Sequence, residues 1–101
     1  MSKLKELYQN LDYDFSQAKE IELPSGLMAT VKQGTGADSL KAAKMAGGDQ
    51  SQAYTALMAV LVTINGQRFT MEDYQDMPRP DFDALVLAII GEDEKNEQSQ
   101  S

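Results

Sequence analysis

Four breaks decide how this chain can fold. Pro24-Ser25-Gly26, Gly47-Gly48, Asn65-Gly66 and the pair Pro78 and Pro80 cut 101 residues into short pieces. In the first, Pro presets φ and Gly tolerates positive φ, which is turn chemistry. Gly47-Gly48 suits the left-handed cap that ends a helix. Pro78 and Pro80 have no backbone N–H, and each disfavours helix in the residue before it. A chain punctuated this way cannot form one long helix or coiled coil. Its length is that of one domain with one modest core. An apolar content of 42% is near the globular norm, which argues against wholesale disorder.

The pieces between the breaks have readable periods. In 19–33, Ile21 and Leu23 alternate with Glu20 and Glu22, as in a half-buried strand. A second strand follows the turn, with Met28 and Val31 as its apolar anchors. Thr35-x-x-Asp38 fits a capping box and predicts a helix over 35–46. Asp49 caps a predicted helix over 50–64, whose stripe is Tyr54, Leu57, Met58, Leu61 and Ile64 and whose stop is Asn65-Gly66. Ala56, Ala59 and Thr63 make the other side of that helix small enough for close approach of a neighbour. Thr70-x-x-Asp73 opens a short helix over 70–76. A last helix over 81–90 buries Phe82, Leu85, Val86 and Ile89 and closes at Gly91, while Leu87 and Ile90 broaden its stripe.

The two ends differ from this centre. Residues 1–18 form an arm in which Leu4, Leu7, Tyr8 and Leu11 make a short helical stripe, marginal in water unless it docks. Residues 92–101 hold four acids, one lysine and no apolar side chain, the composition of a disordered acidic tail. The expected architecture is α+β, with a short N-terminal β-hairpin packed on a small bundle of three to four helices, in a single domain over 19–91.

Charge and residue usage narrow the function. Sixteen acids against nine bases give a net charge of −7, the wrong sign for a phosphate-backbone binder. No nucleic-acid partner is expected. The chain has no Cys and no His, so disulfides, thiolate or imidazole metal sites and Ser-His catalysis are closed to it. The two lysines near Met1 are followed by no apolar run, so no secretory signal is read, and the longest apolar stretch, about Ala56–Ile64, is too short to span a bilayer. No membrane partner is expected. The carboxylate pairs Asp12/Asp14 and Asp81/Asp83 read as solvated turn or cap residues rather than an acid/base dyad. Asp12-Tyr13-Asp14 is only a fragment of a calcium loop. Gly34-Thr35-Gly36 lacks the spacing and lysine of a phosphate loop. The chain reads as a non-enzyme without cofactor or metal.

Two family likenesses bear on function. Gly36-Ala37-Asp38-Ser39-Leu40 resembles the attachment motif of acyl carrier proteins, which would make Ser39 a phosphopantetheine carrier. Lys41 and Lys44 replace the acidic helix that such a carrier needs. The wider pattern looks like the small tail assembly chaperones of Mu-like and P2-like phages. It is carried by Ile21-x-Leu23-Pro24, Thr35-x-x-Asp38-x-Leu40, the apolar run Leu57–Ile64 with Asn65-Gly66, and Tyr74-x-x-Met77-x-x-x-Asp81-Phe82-x-x-Leu85. It covers about residues 19–90 and departs in the N-terminal arm and in lacking a Pro before Thr35.

That resemblance implies a bacterial-cytoplasm protein, absent from the mature virion, that binds the tape-measure protein and keeps it soluble until the tail tube polymerises. A ribosomal frameshift often gives a longer product in this family. Another phage structural or adaptor protein of similar size is the alternative. An apolar groove suits an amphipathic partner helix. Met28, Met45, Met58, Met71 and Met77 are flexible enough for loosely specified contacts or for core filling, and the negative charge opposes aggregation. The expected binding residues are Met77, Phe82, Leu87 and Ile90. A homo-oligomer is the other association the sequence allows.

Overall fold

A computed structural model describes the backbone of residues 2–100 and the side chains of residues 2–91. In chain order the elements are α1 (Lys3–Asn10), β1 (Ala18–Glu22), β2 (Met28–Lys32), α2 (Gly36–Ala46), a 3-10 turn (Gln50–Gln52), α3 (Ala53–Leu61), β3 (Val62–Ile64), α4 (Met71–Gln75) and α5 (Arg79–Gln100). The class is α+β, with the hairpin ahead of the main helices as expected. The sheet is antiparallel in the order β1-β2-β3.

The third strand was not expected, and it corrects the helix predicted over 50–64. The chain leaves the helix at Val62, with φ −114° and ψ 139°. Val62, Thr63 and Ile64 are all β-branched, and β2 has a free edge for them to fill. As a strand, Val62 and Ile64 are buried and Thr63 faces away. Thr30 pairs with Thr63 and Val31 with Val62. Asn65 and Gly66 then take φ of +50° and +82°, the conformation of a two-residue hairpin turn. Ile64 and Gln67 exchange backbone hydrogen bonds across it, at 2.9 and 3.0 Å. Asn65 also joins β2, its N–H donating to the Met28 carbonyl at 2.8 Å while its Oδ1 accepts from the Met28 N–H at 3.1 Å.

The register also corrects one expected anchor. Alternation along β2 buries Ala29 and Val31, leaving Met28 on the exposed side at 44%. The core gathers Leu23, Ala29 and Val31, then Val62 and Ile64, with Met58 and Leu61 of α3, Tyr74 of α4 and Leu85 of α5. α3 is buried nearly all round, through Thr55, Ala56, Met58, Val60 and Leu61. The small buried residues Ala42 and Ala56 allow α2 to pack closely on it.

The helix ends follow their sequence signals. Asp38 Oδ2 accepts from the Thr35 N–H at 2.9 Å, and α2 closes at Gly47 with φ +62°. At α4 the box is reciprocal. Thr70 N–H donates to Asp73 Oδ2 at 2.9 Å, and Asp73 N–H donates to Thr70 Oγ1 at 3.2 Å. α5 differs from expectation at its far end, running through Gly91 to Gln100. Gly91 does not take positive φ, so it makes no cap, and a lone helical Gly costs only about 1 kcal/mol. The side chains of 92–101, the expected acidic tail, lie outside the described residues.

Candidate functional site

α5 carries the surface that the sequence singles out. Leu85 is wholly buried, whereas Leu87, two residues on and so about 200° around the helix, is 60% exposed. Phe82 and Met77 are half-buried and packed against the core. Ile90 is half-buried three residues beyond Leu87, on the adjoining face. The four expected binding residues therefore divide. Met77 and Phe82 brace the start of α5 on the core, while Leu87 and Ile90 form a pair toward the outside.

Ile90 also borders a groove of about 490 Å³ where α5 passes the hairpin. Val31, Lys32, Tyr13, Ala88 and Ile89 share that lining. A second groove, of about 770 Å³, runs between α2, α3 and α4. Met45, Val60, Phe69 and Met71 give it an apolar wall, with Lys41 and Arg68 on it. Arg68 Nη1 donates to the Val60 carbonyl at 3.4 Å, which holds the guanidinium over the end of α3. This second groove was missed from sequence because Phe69, Met71 and Arg68 lie around a turn with no period of their own. The methionines divide between core and surface. Met58 is wholly buried, Met71 and Met77 pack on the core, and Met28 and Met45 are more than two-fifths exposed.

Leu40, a landmark of the family pattern, lies at the surface. It is 74% exposed on α2, opposite the buried Ala42 two residues on. Ser39 is exposed in the first turn of α2, preceded by the hairpin rather than by a helix.

The carboxylates hold turns in place. Asp81 is not the solvated residue expected. It is 2% exposed, and its oxygens accept from the Ser25 N–H at 3.0 Å and the Ser25 hydroxyl at 2.5 Å. Asp83 is exposed and pairs with Arg79 at 3.6 Å. The Ser16 hydroxyl and amide hold Asp14 below its ordinary range, and those of Ser51 do the same for Asp49. Burial, with the Asp73 charge beside it, pushes the Tyr74 phenol up to about 12.

Among the described residues no group of three or more acids is placed to hold a metal ion, and no helix is long and apolar enough to cross a membrane. The arrangement offers apolar helical surface beside open grooves, suited to holding another chain. No family model, no curated protein and no solved structure matches this chain.

Proposed function

We propose that this chain is a tail assembly chaperone of a phage or prophage. It acts in the bacterial cytoplasm, binds an amphipathic helical stretch of the tape-measure protein, and leaves before the virion matures. The reading rests on the family resemblance of residues 19–90 and on one observation above the others. Leu87 keeps 60% of its surface in water while Leu85 on the same helix keeps none. A leucine turned out beside the half-buried Ile90 gives a partner helix an apolar strip to lie on. The −7 charge opposes non-specific aggregation of the resulting complex. The work is binding, with no covalent step and no cofactor.

Co-expression with the tape-measure protein tests this directly. The expected result is a several-fold rise in soluble tape-measure protein, co-purification of the two, and loss of both with Leu87→Glu. Unchanged solubility without co-purification overturns the chaperone reading. Presence of the chain in purified virions favours a structural or adaptor protein instead.

A further inference from the structure

We propose that α1 is a self-association helix, pairing antiparallel with α1 of a second copy through Leu4, Leu7 and Leu11. This is independent of the chaperone reading. α1 has no buried residue, and its three leucines, with Leu11 at the cap, are 62%, 60% and 74% exposed. Their spacing of three and then four residues is that of a coiled-coil seam. A helix of eight residues is marginal alone and needs a packed face.

Its own chain supplies a different face. Tyr8 meets Tyr13 and Phe15 edge to face, with ring centroids 5.3 and 5.9 Å away, and Lys5 Nζ lies 5.8 Å from the Phe15 ring centre. Leu4 borders the groove beside Gly34–Gly36, whereas Leu7 and Leu11 do not. The aromatic cluster thus tethers α1 on one side and leaves Leu7 and Leu11 outward, with Leu4 at the rim of the groove and 62% exposed.

Charge selects the occupant and its direction. Lys3 stands at the start of α1 and Asp12 just past its end, and neither side chain makes a hydrogen bond or ion pair with any of the described residues. By contrast Lys5 lies over Phe15 and Asp14 is bound to Ser16. Parallel pairing would set Lys3 against Lys3 and Asp12 against Asp12. Antiparallel pairing about a two-fold axis sets Lys3 of each copy against Asp12 of the other, twice over. So short a seam falls below the roughly 800 Å² per partner of a standard interface, which makes the dimer dependent on concentration.

Sedimentation equilibrium on the full chain with a native N-terminus, from roughly 5 to roughly 500 µM, tests this. The expected weight-average mass rises from 11.1 kDa toward twice that value. Leu7→Glu should stay monomeric throughout with its unfolding midpoint unchanged, since Leu7 lies outside the core. Lys3→Asp and Asp12→Lys should each weaken the dimer about fivefold, and the double variant should restore it. A wild-type chain monomeric at the highest concentration overturns the proposal, as does a Leu7→Glu chain that dimerises normally. Failure of the double variant to restore association overturns the antiparallel arrangement.

Discussion

The carboxylate of Asp81, at the start of α5, takes both the amide and the hydroxyl of Ser25 in the β1–β2 turn, 56 residues earlier in the chain. This links the hairpin to the last helix through a buried acid. Removing the acid breaks both bonds and leaves a cavity at a buried position, so Asp81→Ala should cost about 2–4 kcal/mol. Ser25→Ala keeps the amide bond and should cost about 1–2 kcal/mol. Urea unfolding of the two single variants and the double variant measures the coupling. A double variant whose loss equals the sum of the singles would show that the pair does not act as a unit.

Gly34 sits where no side chain fits. Its φ is +73°, and a Cβ there would lie 2.6 Å from Leu61 Cδ2 and 2.9 Å from Asp38 Oδ2. Leu61 is in the core and Asp38 is bound to the Thr35 amide, so neither yields freely. Gly34→Ala should therefore destabilise by about 2–3 kcal/mol, combining backbone strain with overpacking. Gly26 is the control. Its φ is +102° but its surroundings are open, so Gly26→Ala should cost only about 1 kcal/mol. Thermal unfolding of both checks the order, and equal losses would remove the steric part of this account.

The turn and cap residues were the most legible part of the sequence, because Pro24, Gly26, Gly47, Thr70 and Asp73 act within a few residues of themselves. β3 was not legible. Leu61 and Ile64 satisfy a helical spacing as well as Val62 and Ile64 satisfy a strand, and the choice is made by the free edge of β2, some thirty residues away. The same limit applies to Asp81. Its neighbours suggest a solvated cap, and only tertiary packing brings Ser25 to it. At the candidate site, the excess of Leu87 over the stripe was visible from the period of α5. The inward packing of Phe82 was legible in the stripe it shares with Leu85, Val86 and Ile89, whereas that of Met77, which precedes α5 and belongs to no period, was not.

Leu85 and Leu87 make a direct comparison of core and surface. Leu85→Ala opens a cavity at a wholly buried position and should cost about 2–5 kcal/mol. Leu87→Glu changes an exposed position and should shift stability by no more than about 0.5 kcal/mol. Chemical denaturation of each variant gives both numbers. A large loss from Leu87→Glu would mean that its face is packed in the folded chain, and the partner strip on α5 would then have to be abandoned.

Tyr74 predicts an alkaline loss of stability. It is 1% exposed, and its hydroxyl donates to the Val62 carbonyl at 3.4 Å, which places the phenol against the start of β3. With the phenol pushed up to about 12, the folded chain keeps this proton at pH values where the unfolded chain, near 10, releases it. The contribution is fully present below pH 10 and is lost as pH rises from about 10 through 12, because the folded state binds the extra proton in that window. Two pKa units correspond to about 2–3 kcal/mol. Tyr74→Phe gives up one long hydrogen bond, about 1 kcal/mol or less at neutral pH, and has no proton to lose. Urea unfolding of both chains between pH 8 and pH 12 should show the gap between them closing or reversing at the alkaline end. Parallel curves would mean that Tyr74 can ionise without unfolding, and that burial around its hydroxyl is incomplete.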